Sequence, residues 1–142
     1  MERSNKSKLL LIVGECRSDE FPEGLPTVKA EHSADVNCGY AAVIAGKSAV
    51  LNISSALGVI VDETFTGKIP RGIQLITCGI SPKNTVSITS RTAEKLTLSL
   101  NRSVRTLSGK LCEPLEQPVD VPADADEYDV MAAFAAKLLL EL

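Results

Sequence analysis

Short apolar runs, each closed by a turn residue, set the frame of this chain. Lys8–Gly14 (KLLLIVG), Ser48–Ile53 (SAVLNI) and Ile73–Cys78 with Gly79 behind it (IQLITCG) are too brief for buried helices. They have the length and bounding residues of buried strands. The stretch 15–31, with two Pro and a Gly, reads as loop. Between the runs the spacing predicts helices. Ser33 or Asp35 caps the first, with Val36, Tyr40, Val43 and Ile44 on one face and Gly46 as its stop. Ser54 or Ser55 caps the second, in which Leu57, Ile60 and Val61 share a face, and Gly67 and Pro70 end that segment. Strand, helix, strand, helix, strand with short links predicts a parallel sheet with crossover helices.

The second half changes period. Thr85–Thr89 (TVSIT), Lys95–Leu100 (KLTLSL) and Ser103–Leu107 (SVRTL) alternate in polarity, as antiparallel strands with one wetted face do. Residues 90–94 read as a hairpin connection and Ser108-Gly109 as a turn. Leu111–Pro122, with three Pro, reads as an extended edge segment. Asp126 opens a final helix with acidic residues in its first turn. Its stripe of Val130, Met131, Phe134, Ala135, Leu138, Leu139 and Leu142 covers one sheet face. The expectation is therefore one α/β domain over residues 1–142: a small parallel sheet with crossover helices, extended by antiparallel strands and covered by a C-terminal helix. A chain of 142 residues, 44% hydrophobic, can bury a core of its own without metal or disulfide staples.

Composition also excludes. No apolar run nears the roughly 18–20 residues that cross a bilayer as a helix. The run behind the basic start spans only Leu9–Val13, short of the ~7–15 apolar residues of a secretory signal. With 15 basic against 18 acidic residues and no Trp, nucleic acid is not an expected partner. Cys16, Cys38, Cys78 and Cys112 never form CxxC, so they read as reduced thiols of a cytoplasmic protein and not as a zinc site. His32 is the lone histidine, which leaves no His pair for a metal, and no G-x-S-x-G occurs. The adjacent pairs Asp19-Glu20 and Asp62-Glu63 point apart along the backbone and make no ready acid/base set. Arg91, Lys95, Arg102, Arg105 and Lys110 read as charges on a solvated sheet face.

Ala41–Ser48 (AAVIAGKS) fits a relaxed phosphate-loop pattern with Ala in the first Gly position. A working loop follows a strand and opens a helix at the Lys, so that free amides face phosphate. The predicted order here is reversed, with a helix before Gly46-Lys47 and a strand after. Gly46 then reads as a helix stop and Lys47 as a helix-terminal cation. Lys47 stays the one candidate phosphate contact.

Leu51-Asn52-Ile53-Ser54-Ser55, a predicted helix, Leu75–Ser81 (LITCGIS) and the alternating strands behind them resemble the later part of the central domain of Mur ligases and folylpolyglutamate synthetases. The resemblance covers about residues 49–100. It implies a strand ending in Asn-x-Asp-Asp, a helix and an Ile-Thr-Tyr-Gly strand, and it carries one residue over, Asn52, as a purine-side contact. Ser54 and Ser55 stand where that family has two Asp, and Gly46-Lys47-Ser48 lies too close to Asn52 to be its phosphate loop. Ligation needs metal-bound ATP, so the resemblance implies a relative without ligase chemistry.

Three functions follow as expectations. The first is a non-catalytic cytoplasmic protein, without cofactor or metal, acting by binding or self-association through Met131, Phe134, Leu138 and Leu142 of the last helix. The second is a nucleotide or phosphate binder using Lys47 and Asn52. The third is an enzyme with Cys78 or Cys16 as thiolate, each beside the end of a predicted strand.

Overall fold

A computed structural model describes residues 8–16, 21–46, 48–122 and 124–142. The strands are β1 (Leu9–Val13), β2 (Thr27–Ala30), β3 (Ser33–Ala45), β4 (Val50–Asp62), β5 (Gln74–Gly79), β6 (Val86–Arg91), β7 (Lys95–Leu100), β8 (Val104–Arg105), β9 (Leu111–Cys112) and β10 (Leu115–Asp120), followed by helix α1 (Glu127–Leu140). Eight of them form one sheet in the order β10-β7-β6-β5-β4-β3-β1-β2, and β8 pairs with β9 alone. From β2 to β6 the pairing is parallel, while β6–β7 and β7–β10 are antiparallel.

Two adjacent long strands dictate the rest. β3 pairs with β4 in parallel from Ser33↔Val50 to Ile44↔Ile60. Straight strands of that length would need a return link of roughly 40 Å. The link is residues 46–49, which reach at most about 18 Å. Each strand must therefore double back. The register slips between Cys38 and Ala42, opposite Ala56 and Gly58, and Gly39 and Tyr40 stand exposed at that corner. Hydrogen bonds place both ends together: Gly46 N–H donates to the Val13 carbonyl (2.7 Å) and Val50 N–H to the His32 carbonyl (2.9 Å). Ser33 pairs with Val50, 17 residues on, and Gly58 with Gln74, 16 residues on, so the chain winds in solenoid-like coils.

The coils create two cores. The back halves of β3 and β4 carry Val43, Val59 and Val61 on the face that meets Val36 and Ile53 of the front halves. Their other face carries Ala42, Ile44 and Ile60 against Met131, Phe134 and Leu139 of α1. Gly58 lets the helix approach, since a Cβ there would lie 2.9 Å from Leu139 Cδ1.

The α/β expectation is thus overturned. No crossover helix occurs among the described residues, and both segments expected to be helical are strand. Ala41–Ala45 (AAVIA) and Gly58–Val61 (GVIV) are buried on both faces. A strand packed on both sides reads as an unbroken apolar run, and β-branched residues suit it. The helical spacing of Val36, Tyr40, Val43 and Ile44 arose because the doubling back puts residues of two different layers in one window. Ser54 and Ser55, expected as helix caps, continue β4. The segment that the Mur-ligase resemblance sets as helix is this same strand.

α1 is tied at both ends. Asp126 caps it by accepting from Tyr128 N–H (2.8 Å) and Asp129 N–H (3.3 Å). Glu141 ends it in the left-handed region (φ 59°). Its carboxylate accepts from Thr106 Oγ1 (2.5 Å), Ser108 N–H (3.1 Å) and Ser108 Oγ. Those donors, Ser108 Oγ first, hold the Glu141 carboxyl down at about 2 against an ordinary 4.5.

Two predictions follow. In Gly46→Ala the new Cβ would lie 2.5 Å from the Glu15 carbonyl oxygen and 2.8 Å from its nitrogen, backbone that cannot swing aside. We expect a loss of about 1–3 kcal/mol in urea unfolding. Glu141, with its folded pKa depressed, contributes stability that is complete above the unfolded carboxylate value and fades as pH falls from there toward about 2. The melting-temperature gap between wild type and Glu141→Gln is expected to be wide at neutral pH and to close on acidification; a gap constant with pH would refute the clamp.

Candidate functional site

The residues singled out for phosphate do not converge. Lys47 lies outside the described residues. Gly46 leaves β3 and Val50 opens β4, so the order is strand, turn, strand, and no helix starts there. Asn52 sits on the exposed face of the front half of β4, and its amide donates to Asp35 Oδ1 (3.1 Å). A nearby cavity of ≈ 480 Å³, between Ser48–Leu51 on one side and Asp62 with Thr64–Gly67 on the other, does not include Asn52 in its walls. Asp62, on its rim, accepts from the Thr64 backbone (3.2 Å) and hydroxyl (2.5 Å). His32 lies in the turn between β2 and β3, beside Glu31 and Ser48.

The two cysteines considered as nucleophiles lie on the helix side. Cys78 is fully buried at the end of β5, and Cys16 packs against the helix-side core. Burial pushes both thiols up, and the Asp129 carboxylate beside Cys16 and Asp62 near Cys78 push them further. Both stay protonated at neutral pH, the opposite of an activated thiolate. Tyr128 completes this region. Its hydroxyl donates to the carbonyl of Ala45 (2.5 Å) and lies 3.1 Å from that of Ile60, where β3 and β4 end. Burial, foremost, raises the phenol and keeps it a donor. The buried Tyr128 ring thus ties α1 to the ends of β3 and β4.

The basic residues of the second half are dispersed. Arg91 makes a bidentate pair with Glu127 (2.7 Å to each oxygen), Lys95 meets Asp120 (3.5 Å), and Arg102 donates to the Lys83 carbonyl (2.9 Å). The helix stripe is also largely spent: Met131 and Phe134 are buried against the chain's own sheet, Leu138 is half-buried, and Leu142 is exposed.

What the fold leaves open is an edge. The back layer is five parallel strands wide at this end, and what packs on this face is the front halves of β3 and β4 with Phe65, Ile69 and Ile73 of the β4–β5 connection. Leu11, Val43, Val59 and Leu75 are register neighbours on the covered face. The middle two are sealed at 0% exposure, whereas Leu11 is half-buried and Leu75 is 43% exposed. Beyond Leu11 its partner Val28 on β2 is 52% exposed. Beside this apolar floor runs the front half of β3, residues 33–38. On that side it pairs with no strand among the described residues. The bond from Val50 N–H to the His32 carbonyl sets the alternation of the ladder. Ala34 and Val36 turn their backbone groups toward β4, while Ser33 and Asp35 turn theirs outward to the open side. Described residues of the loop before β2, Phe21 and Leu25, pack on the helix side and leave this groove uncovered.

The sequence carried a signal for this edge. Ser33–Asn37 (SADVN) alternates polar Ser33, Asp35 and Asn37 with inward Ala34 and Val36. The helical spacing of a longer window masked it.

Tyr128→Phe removes the hydroxyl that donates to the Ala45 carbonyl and is expected to cost about 1–3 kcal/mol, read from chemical denaturation. Alkylation by iodoacetamide at pH 7, followed by peptide mass mapping, is expected to label Cys38 and Cys112 before Cys16 and Cys78. Early labelling of Cys16 or Cys78 would contradict their protonated state. No family model matches this chain, and neither a curated protein nor a solved structure does.

Proposed function

We propose that the protein performs no chemistry of its own and acts by association, accepting an extended polypeptide strand along the outer edge of residues 33–37. The observation that carries this reading is the pairing of a free ladder edge with an uncovered apolar floor, Leu11 and Val28, next to it. Backbone hydrogen bonds supply affinity in such strand addition, and alternate side-chain positions supply selectivity. The helix surface first considered for self-association has little to offer once Met131 and Phe134 are enclosed. The other margins of the sheet are guarded. β10 carries Pro118 with Glu116 and Asp120, and β2 has four residues.

The cytoplasm is the compartment we propose. The four cysteines are free, as suits reducing surroundings. Among the described residues no helix is long and apolar enough to cross a membrane.

An array of immobilised peptides of varied sequence tests the reading. The wild-type chain is expected to retain extended, proline-free peptides. Asp35→Pro, which deletes one outward N–H without touching the β3–β4 ladder, is expected to lose them. Retention of nothing, or the same set by both proteins, would overturn the proposal.

A further inference from the structure

Resting on the association reading, we infer that the strand taken up by this edge belongs to another protein and alternates apolar residues with lysine or arginine. Three observations define its chemistry. The incoming strand would lie beside residues 33–37 and over Leu11 and Val28. Every second side chain then meets an apolar floor, one exposed and one half-buried. The intervening side chains emerge next to Asp35, which is exposed and whose carboxylate accepts one bond, from Asn52. A carboxylate has room for further donors. Glu31, exposed in the turn that leads into β3, adds a second negative charge at the same end.

No described cation offsets these acids within the groove. Lys29 is the nearest in sequence, but it is the register partner of Ile12, whose side chain lies in the helix-side core. Lys29 therefore projects from the opposite face of β2. His32 flanks Glu31 at the turn. The groove thus presents unpaired backbone, an apolar floor and an acidic rim.

Charge also argues against a second copy as the occupant. The same edge from another molecule would bring Asp35 and Glu31 against their own equivalents, and like charges across a ladder oppose pairing. Its β10 margin would bring Glu116 and Asp120 and a proline without a donor. A basic, apolar-alternating segment meets none of these obstacles.

Fluorescence anisotropy with capped decapeptides tests the inference: alternating Val-Lys, alternating Val-Glu and alternating Val-Thr. We expect the Val-Lys peptide to bind at least about tenfold more tightly than Val-Glu at low salt, with the gap shrinking as salt rises. Asp35→Asn keeps the backbone donor and is expected to weaken Val-Lys binding by a few-fold, about three to five, chiefly at low salt. Asp35→Pro is expected to weaken every peptide by about tenfold or more. Val28→Lys, at an exposed position that tolerates substitution, provides a second variant should the proline disturb folding, and it too should abolish Val-Lys binding. Equal binding of Val-Lys and Val-Glu would overturn the charge assignment. Binding of Val-Lys indifferent to Asp35→Pro and Val28→Lys would show a diffuse attraction elsewhere and overturn the site. If Val-Thr binds best and still depends on Asp35→Pro, the basic class falls while strand addition stands. If no peptide of any charge binds, both fall.

Discussion

The doubling back of β3 and β4 near Gly39–Tyr40 and Ala56–Leu57 is the constraint on which the other features hang. It turns two long strands into two layers, and the interface between those layers becomes a core that needs no helix. It also returns the end of each strand to its beginning, so that a four-residue link suffices between Ala45 and Val50. Parallel neighbours are usually joined by a long crossover. Here the crossover is the front half of the strand itself. The same geometry limits the front layer to the two strands that double back, and this limit opens the groove over Leu11 and Val28.

Polar contacts then lock the second layer to α1. The Tyr128 hydroxyl reaches two carbonyls near the ends of β3 and β4, donating to that of Ala45 and lying close to that of Ile60. Asp126 satisfies first-turn amides, and the Glu141 carboxylate gathers Thr106 and Ser108 from the short β8–β9 hairpin. A further bond, Leu107 N–H to the Leu139 carbonyl (2.8 Å), fastens that hairpin to the last turn. The helix is thereby held between a strand terminus and a hairpin, and its apolar stripe is committed to the chain's own sheet. The front edge of β3, which pairs with no strand among the described residues, is where the fold leaves backbone groups and apolar side chains together.

Local features of the second half were legible because each rests on neighbours in sequence. Lys95–Leu100 alternates so that Leu96, Leu98 and Leu100 are buried, and the strand has the bounds its period predicts. Asp126 followed by Tyr128 and Asp129 is a local cap, and the hairpin between Arg91 and Lys95 closes with Thr92 N–H on the Lys95 carbonyl (2.9 Å). The first half misled for a physical reason. Val36 points into one core from the front layer, whereas Val43 and Ile44 sit in the back layer, facing opposite sides. A window spanning the corner superposes two period-two patterns with a slip between them, and the slip imitates a period of 3.6. The Ala41–Ala45 run, buried on both faces, removes the polar residues that would have exposed the mistake.

By itself the amino-acid sequence determined the positions of β1, β5, β6 and β7, the helix with its Asp126 cap, and an apolar content sufficient for a core. These depend on interactions a few residues apart. Tertiary structure alone decided that residues 33–45 and 54–62 are strand and not helix, that β3 and β4 stack in two layers, and that Leu11, Val28 and Asp35 border one groove. Those outcomes depend on pairing between segments 16–17 residues apart and on which side of a layer remains uncovered. A ladder edge is free or occupied only by reference to every other strand, and no local pattern records that.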